Sequence, residues 1–216
     1  MNFPPFNFDQ MNQSRALKTK KLMQFKIVLL DVEPAIWRRI QVPQNFTFQQ
    51  FHMAIQDAMG WFDHHLHSFS IPDSKNLGQT IEIGLPNEQF CEDNIKDETS
   101  YLIKNCFKDM VTKIDYQYDF GDSWEHEIIY EGLHNAKSKG PICIGGKNPC
   151  PPEDIGGSCG FMEFLDVMRD PDNDEYEEND SWYKNGRNGC NGKSFKLGKF
   201  NKNRVKFRKS RRGCNY

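Results

Sequence analysis

Residues 116–132, YQYDFGDSWEHEIIYEG, constrain the fold more than any other stretch. Tyr116, Tyr118 and Phe120 alternate with polar neighbours, the period-two pattern of a strand with one buried face. Gly121, Asp122 and Ser123 are turn residues. Alternation then resumes, with His126, Ile128 and Tyr130 on one face and Glu125, Glu127, Ile129 and Glu131 on the other. A central β-hairpin is expected, and the rest of the chain reads as a compact α+β domain around it.

Upstream, 22–32 and 36–42 (IWRRIQV) read as two strands separated by the break at Glu33-Pro34. Thr47 and Gln50 form a capping-box pattern. Phe48, Phe51, His52, Ile55, Ala58 and Met59 follow at helical spacing, which predicts an amphipathic helix over 48–60 that Gly60 stops. Residues 66–71 and 81–85 read as strands, and 101–110 as a short helix feeding the hairpin. The Gly, Pro and Cys content of 132–158 predicts a long loop, either functional or disordered. Helices are expected over 160–169, with Phe161, Phe164, Leu165 and Met168 on one face, and over 174–183. A Gly/Asn-rich linker follows at 185–192. The expected organisation is a flexible segment over 1–21, one domain over 22–192 and a basic tail over 193–216, its first half docked or free.

Charge is unevenly distributed. Residues 181–216 carry twelve Lys/Arg and no acid, while 1–180 carry sixteen basic and thirty acidic residues; this −14 balance is hidden within a net charge of −2. Such a split points to a polyanionic partner, or to a tail that folds back on its own acidic body. Seven cysteines without tight spacing read as reduced thiols. Charged residues make up 27%, mean hydropathy is −0.77, and no apolar run approaches the ~20 residues of a membrane span, so no membrane partner is expected. The first twenty residues lack an apolar core and a small-residue cleavage site. The expected compartment is the cytoplasm, or the nucleus in a host that has one.

Six segments in order carry a resemblance: IWRRIQV (36–42), AMGW (58–61), HLHSF (65–69), YDFGDSWEHEI (118–128), CPPEDIGG (150–157) and FMEFL leading into DP (161–171). In these the chain resembles the plasmid pRiA4b ORF-3-like family, whose members include passenger proteins of bacterial insertion elements. The resemblance implies a single α+β domain, with a mixed or antiparallel sheet and helices on one side. It brings no assigned activity, and no recombinase motif is visible. The chain departs from the family pattern at Ile155, where the family often has Cys, and in its basic, Asn/Gly-rich last 30 residues.

Asp119, Asp122 and His126 bracket the hairpin turn, and carboxylates three apart at a tight turn can converge on Mg²⁺ or Mn²⁺ or serve as acid–base groups. The competing reading makes Asp122 a backbone cap and His126 a core histidine beside Trp124. His65 and His67 share a face of the expected strand, as two imidazole ligands to the same ion or as packing beside Trp61 and Phe69. Cys143, Cys150 and Cys159 offer a three-thiolate Zn²⁺ site completed by Cys190 or a histidine, although the close cysteine pairs of structural zinc are missing. Otherwise CPPED is a rigid turn whose Glu153 and Asp154 hold backbone amides near GGSCG.

In the tail, Phe195, Phe200, Phe207 and Tyr216 are interleaved with cations. Lys199, Lys202, Arg204, Lys206, Arg208, Lys209, Arg211 and Arg212 are the candidate phosphate contacts, and the rings are candidate stacking faces for bases. The competing reading docks Phe195, Leu197, Phe200 and Val205 on the domain. Arg38 and Arg39 either extend the basic face or pair with acids. The favoured function is a non-enzymatic module that binds nucleic acid or a nucleoprotein complex through the tail. The alternatives are a hydrolase or nuclease at the hairpin using Zn²⁺, Mg²⁺ or Mn²⁺, and a protein–protein adaptor presenting 132–158 and the acidic 172–180 segment.

Overall fold

The expected hairpin forms the middle of the sheet. The computed structural model describes residues 20–73, 76, 78–85, 95–107, 111–136, 138–186, 193–196, 198 and 200–208. In order the elements are β1 (Lys20–Leu29), β2 (Ile36–Pro43), α1 (Phe48–Met59), β3 (His67–Pro72), β4 (Thr80–Gly84), β5 (Ile95–Asp97), α2 (Ile103–Cys106), β6 (Lys113–Tyr118), β7 (Trp124–Ala136), β8 (Ile142–Lys147), α3 (Gly157–Arg169) and α4 (Tyr176–Asn185). The strands form one eight-stranded sheet in the order β5-β4-β3-β6-β7-β1-β2-β8. Every neighbouring pair is antiparallel except β4 with β5.

Strand alternation sorts the side chains. Phe25, Ile27 and Leu29 of β1, Ile36 and Ile40 of β2, Tyr116 and Tyr118 of β6, and Trp124 and Ile128 of β7 are all buried. Helix α1 lays Phe48, Phe51, Ile55 and Met59 into that core, and α3 adds Phe161, Phe164 and Leu165. The opposite face stays polar, with Arg39 of β2 pairing with Glu131 of β7 at 2.7 Å. The result is a single-domain α+β fold with a mixed sheet and its helices on one side. No helix among the described residues is long and apolar enough to cross a membrane.

Helix α1 has the expected ends. Gln50 N donates to Thr47 Oγ1 at 3.2 Å, Thr47 N donates to Gln50 Oε1 at 3.1 Å, and Gly60 closes the helix at φ 102°.

Three expectations are corrected. Phe120 lies in the turn rather than on a strand and is 52% exposed, because the chain leaves the ladder at Asp119. The 132–158 stretch is not one long loop. Strand β7 continues to Ala136 through a bulge at Gly132 (φ 104°), and β8 adds an edge strand on β2. Strand β5, at the opposite edge, was not expected.

Candidate functional site

Residues 200–208 return to the domain as a strap with apolar side chains inward. Before it, Phe195 is buried against Phe164 and Tyr183, with ring centroids 5.2 and 5.4 Å away. Phe200 lies over the Arg38 guanidinium at 3.9 Å. It fits because residue 146 is glycine: a Cβ there would stand 2.4 Å from the Phe200 ring. Val205 and Phe207 pack against the core. The backbone N and Nε of Arg208 donate to the Asp57 carboxylate at 2.7 and 2.6 Å, and Lys202 Nζ donates to Ile144 O at 3.2 Å. The described aromatic residues of the tail are therefore anchors, not stacking faces, and Arg208 is an anchor as well. Lys202, Arg204 and Lys206 are exposed, and among the described residues none of them has an acidic partner. Lys199, Lys209, Arg211, Arg212 and Tyr216 lie outside the described residues.

Below the strap sits Arg38. Alternation along β2 turns it to the core face between Ile36 and Ile40, and it is only 1% exposed. Arg39, one residue on, faces the other way toward Glu131, so the two arginines form no common basic face. Arg38 Nε donates to Ala58 O at the end of α1 (2.9 Å), and Nη1 donates to the carbonyls of Trp37, Lys147 and Asn148 (2.9, 3.0 and 3.0 Å). Every one of these acceptors is a neutral carbonyl. Burial lowers the Arg38 pKa, yet an arginine stays charged at any ordinary pH.

A cleft of about 300 Å³ opens beside this charge, lined by Arg38, Trp61, Cys150, Phe200, Arg204 and Lys206. Two carboxylates also line it, but both are engaged: Asp57 by Arg208, and Glu153 by the Tyr118 hydroxyl (2.6 Å) and Phe62 N (3.0 Å).

At the hairpin turn the structure regroups the expected ligands. His65 Nδ1 lies 3.5 Å from Asp119 Oδ2, and its Nε2 lies 3.1 Å from Asp154 Oδ1. One ligand atom from each of these three residues falls within a 4.8 Å cluster. Asp122 stands outside it: its Oδ2 accepts from Gly156 N at 3.2 Å, tying the turn to the start of α3. The close approach requires Gly157, whose Cβ would lie 2.4 Å from Asp122 O.

His126 is also outside the cluster. It is buried on the core face against Trp61 (centroids 5.4 Å), with Nδ1 donating to Trp124 O at 3.0 Å. Burial pulls its pKa down to about 4. His67 starts β3 and pairs with Glu98 at 2.6 Å, so His65, still in the preceding loop, does not share its site.

Asp154 is the member that sequence reasoning gave another role, as a holder of backbone amides. Asp122 holds the Gly156 amide instead, and Glu153 holds that of Phe62. The CPPED motif pointed to the right loop but not to the right partners.

Cys143, Cys150 and Cys159 do not assemble into a three-ligand group. Burial pushes Cys150 up to about 12, Cys143 is raised too, and Cys159 is exposed on α3. Cys190 lies outside the described residues.

Known proteins share this architecture. A protein of unknown function, MM3350 from Methanosarcina mazei Go1, has a crystal structure that superposes with a TM-score of 0.76 at 34% identity, covering 88% of this chain and 99% of that one. The uncharacterized protein y4hQ of Sinorhizobium fredii is 33% identical over 162 residues, 74% of this chain and 80% of the relative. Residues 21–204 match the family described as plasmid pRiA4b ORF-3-like protein, a span that takes in all eight strands but for Lys20, most of the cleft lining and the strap as far as Arg204. By that match and by these relatives, the chain belongs to the plasmid pRiA4b ORF-3-like family.

Proposed function

We propose that this protein is a non-enzymatic module that binds nucleic acid by its phosphates, along the 200–208 strap and at the mouth of the Arg38 cleft. The supporting observation is the unbalanced positive charge there. Arg38 is buried against neutral carbonyls and the Phe200 ring, and Arg204 and Lys206 stand at the cleft with no acidic partner among the described residues. A buried charge without a counter-charge is costly, and a phosphate entering the cleft supplies one. Because the described aromatic rings are anchors, recognition is expected to be indifferent to base identity.

The test is a titration of labelled single- and double-stranded DNA and RNA at several salt concentrations. Replacing Lys202, Arg204 and Lys206 together by Ala should leave the fold intact and flatten the log K against log salt slope by about 2 to 3. An unchanged slope in that variant removes the proposal.

A second reading, metal-assisted hydrolysis, is favoured by the convergence of His65, Asp119 and Asp154. It expects turnover of nucleic acid substrates with Mg²⁺, Mn²⁺ or Zn²⁺ that Asp119→Asn abolishes and Asp122→Asn spares. Protein that stays inert with all three ions rules it out.

A further inference from the structure

Arg38 carries donors that the protein does not use. Its Nε and Nη1 reach the carbonyl oxygens of Ala58, Trp37, Lys147 and Asn148. Nη2, with N–H donors of its own, has no hydrogen-bond partner among the described residues. Nor is Nη2 sealed in the interior: the buried side-chain polar atoms left without a partner belong to Gln56, His65, His126 and Asp180. Arg38 lines the cleft of about 300 Å³, so Nη2 opens into it.

The guanidinium is held in place. The carbonyls fix its plane, and Phe200 covers one face with its ring centroid 3.9 Å away. At 1% exposure Arg38 stands at the closed end of the cleft, whereas Arg204 and Lys206 line the same cleft and are exposed, at its mouth.

This depth selects among phosphates. An internal phosphodiester carries a nucleoside on each side, and both would have to enter for its oxygens to reach Nη2. The cleft lies at the small end of the ~300–1,000 Å³ usual for small-ligand sites, which favours a group with one flank. A strand end has one flank, and its following phosphodiesters remain at the mouth.

Charge selects in the same direction. Of the two carboxylates that line the cleft, Asp57 is paired with Arg208, which leaves Glu153. Burial raises the pKa of Cys143 and pushes that of Cys150 up to about 12, so the thiols near Arg38 are neutral. Arg38, Arg204 and Lys206 set against Glu153 leave two positive charges. A phosphodiester or a carboxylate brings one negative charge, and a phosphate monoester brings about 1.5 to 2 at neutral pH.

We infer that the Arg38 cleft receives the terminal phosphate monoester of a nucleic-acid strand. Arg38 Nη2 donates to an oxygen of that phosphate, and Arg204 and Lys206 meet the phosphodiesters that follow. This end recognition rests on the phosphate-binding reading above and specifies which phosphate is bound.

The experiment titrates full-length protein with one labelled single-stranded sequence, as DNA and as RNA, at fixed salt. Each is supplied with a 5′-phosphate, with a 3′-phosphate, with hydroxyls at both ends, and as a closed circle. At least one phosphorylated form should bind roughly tenfold or more tightly than the hydroxyl and circular forms, the worth of one charge-assisted hydrogen bond. A nucleoside monophosphate should displace it at far higher concentration than the phosphorylated strand does. Arg38→Lys keeps the charge but withdraws the Nη2 donors, and should bring the ratio of phosphorylated to circular affinity close to one. The wild-type preference decides the matter even if that variant fails to fold. Equal wild-type affinity for all four forms overturns end recognition and leaves phosphate binding along the strap standing. A nucleoside monophosphate that binds as tightly as the phosphorylated strand overturns the assignment to a strand end. Absence of binding to every form removes both readings.

Discussion

Replacing Glu153 by alanine should cost the fold about 3 kcal/mol, because one buried carboxylate oxygen serves two donors that have no other acceptor. Glu153 Oε1 accepts from the Tyr118 hydroxyl at 2.6 Å and from Phe62 N at 3.0 Å. Tyr118 oxygen in turn accepts from His64 N at 3.1 Å, so the same contact orders the loop that carries His65. Burial raises the Tyr118 pKa first, and the Glu153 carboxylate adds to it, so the phenol stays a donor at every ordinary pH. Alanine leaves the buried hydroxyl and the half-buried Phe62 amide unpaired, at the full desolvation cost for the first and part of it for the second. Glu153→Gln keeps an acceptor of the same shape and should lose only about 1 kcal/mol. The check is urea denaturation of both variants beside wild type. An alanine variant within about 1 kcal/mol of wild type would show that Trp61, whose Nε1 donates to Pro151 O at 3.0 Å, holds the 149–156 loop by itself.

Elements governed by local rules were legible in the sequence. Helix α1 carries its own start signal at Thr47 and stop signal at Gly60, and the hairpin carries alternation on both sides of a turn. What was not legible depends on partners far along the chain. Strand β8 has only Ile142, Cys143 and Ile144 before Gly145 and Gly146, a composition that reads as loop. It is a strand because β2 offers a free edge, and Gly146 makes room for Phe200, more than fifty residues later. The inward turn of Arg38 is hidden for the same reason. Period-two alternation did place it on the face of Ile36 and Ile40, but its acceptors at Ala58 and at Lys147 and Asn148 come from two other segments. The candidate site was half legible. His65 and Asp119 were nominated and do meet, whereas Asp122, nominated beside them, turned out to cap Gly156. A charge pattern alone could not distinguish the cations of the strap that anchor it from those that remain exposed, because that division is made by Asp57 on α1.

Lowering the pH from 7 to 4 should remove about 3 kcal/mol of stability through His126 alone. The ring is buried between Tyr116 and Trp61; its Nδ1 donates to backbone carbonyl, and its Nε2 has no partner. Neither ring nitrogen has a carboxylate within ion-pair distance among the described residues, so nothing rewards a proton there, and burial holds the folded-state pKa at about 4. In the unfolded chain the same histidine titrates near its ordinary value of about 6.5. Between those two values the unfolded state binds the proton and the folded state does not. Stability is therefore fully present above about 6.5 and is lost as the pH falls toward 4. His126→Gln supplies an uncharged side chain whose amide can still donate to Trp124 O. It lowers stability at pH 7 through poorer packing, but its stability curve should be flatter than wild type by about 3 kcal/mol over the same window. Other groups titrate in both proteins, so the difference between the two curves is the quantity to measure, by urea denaturation at half-unit intervals. Parallel curves would mean that His126 takes up its proton in the folded state, which in turn requires that the Trp61–Tyr116 wall around it opens to water.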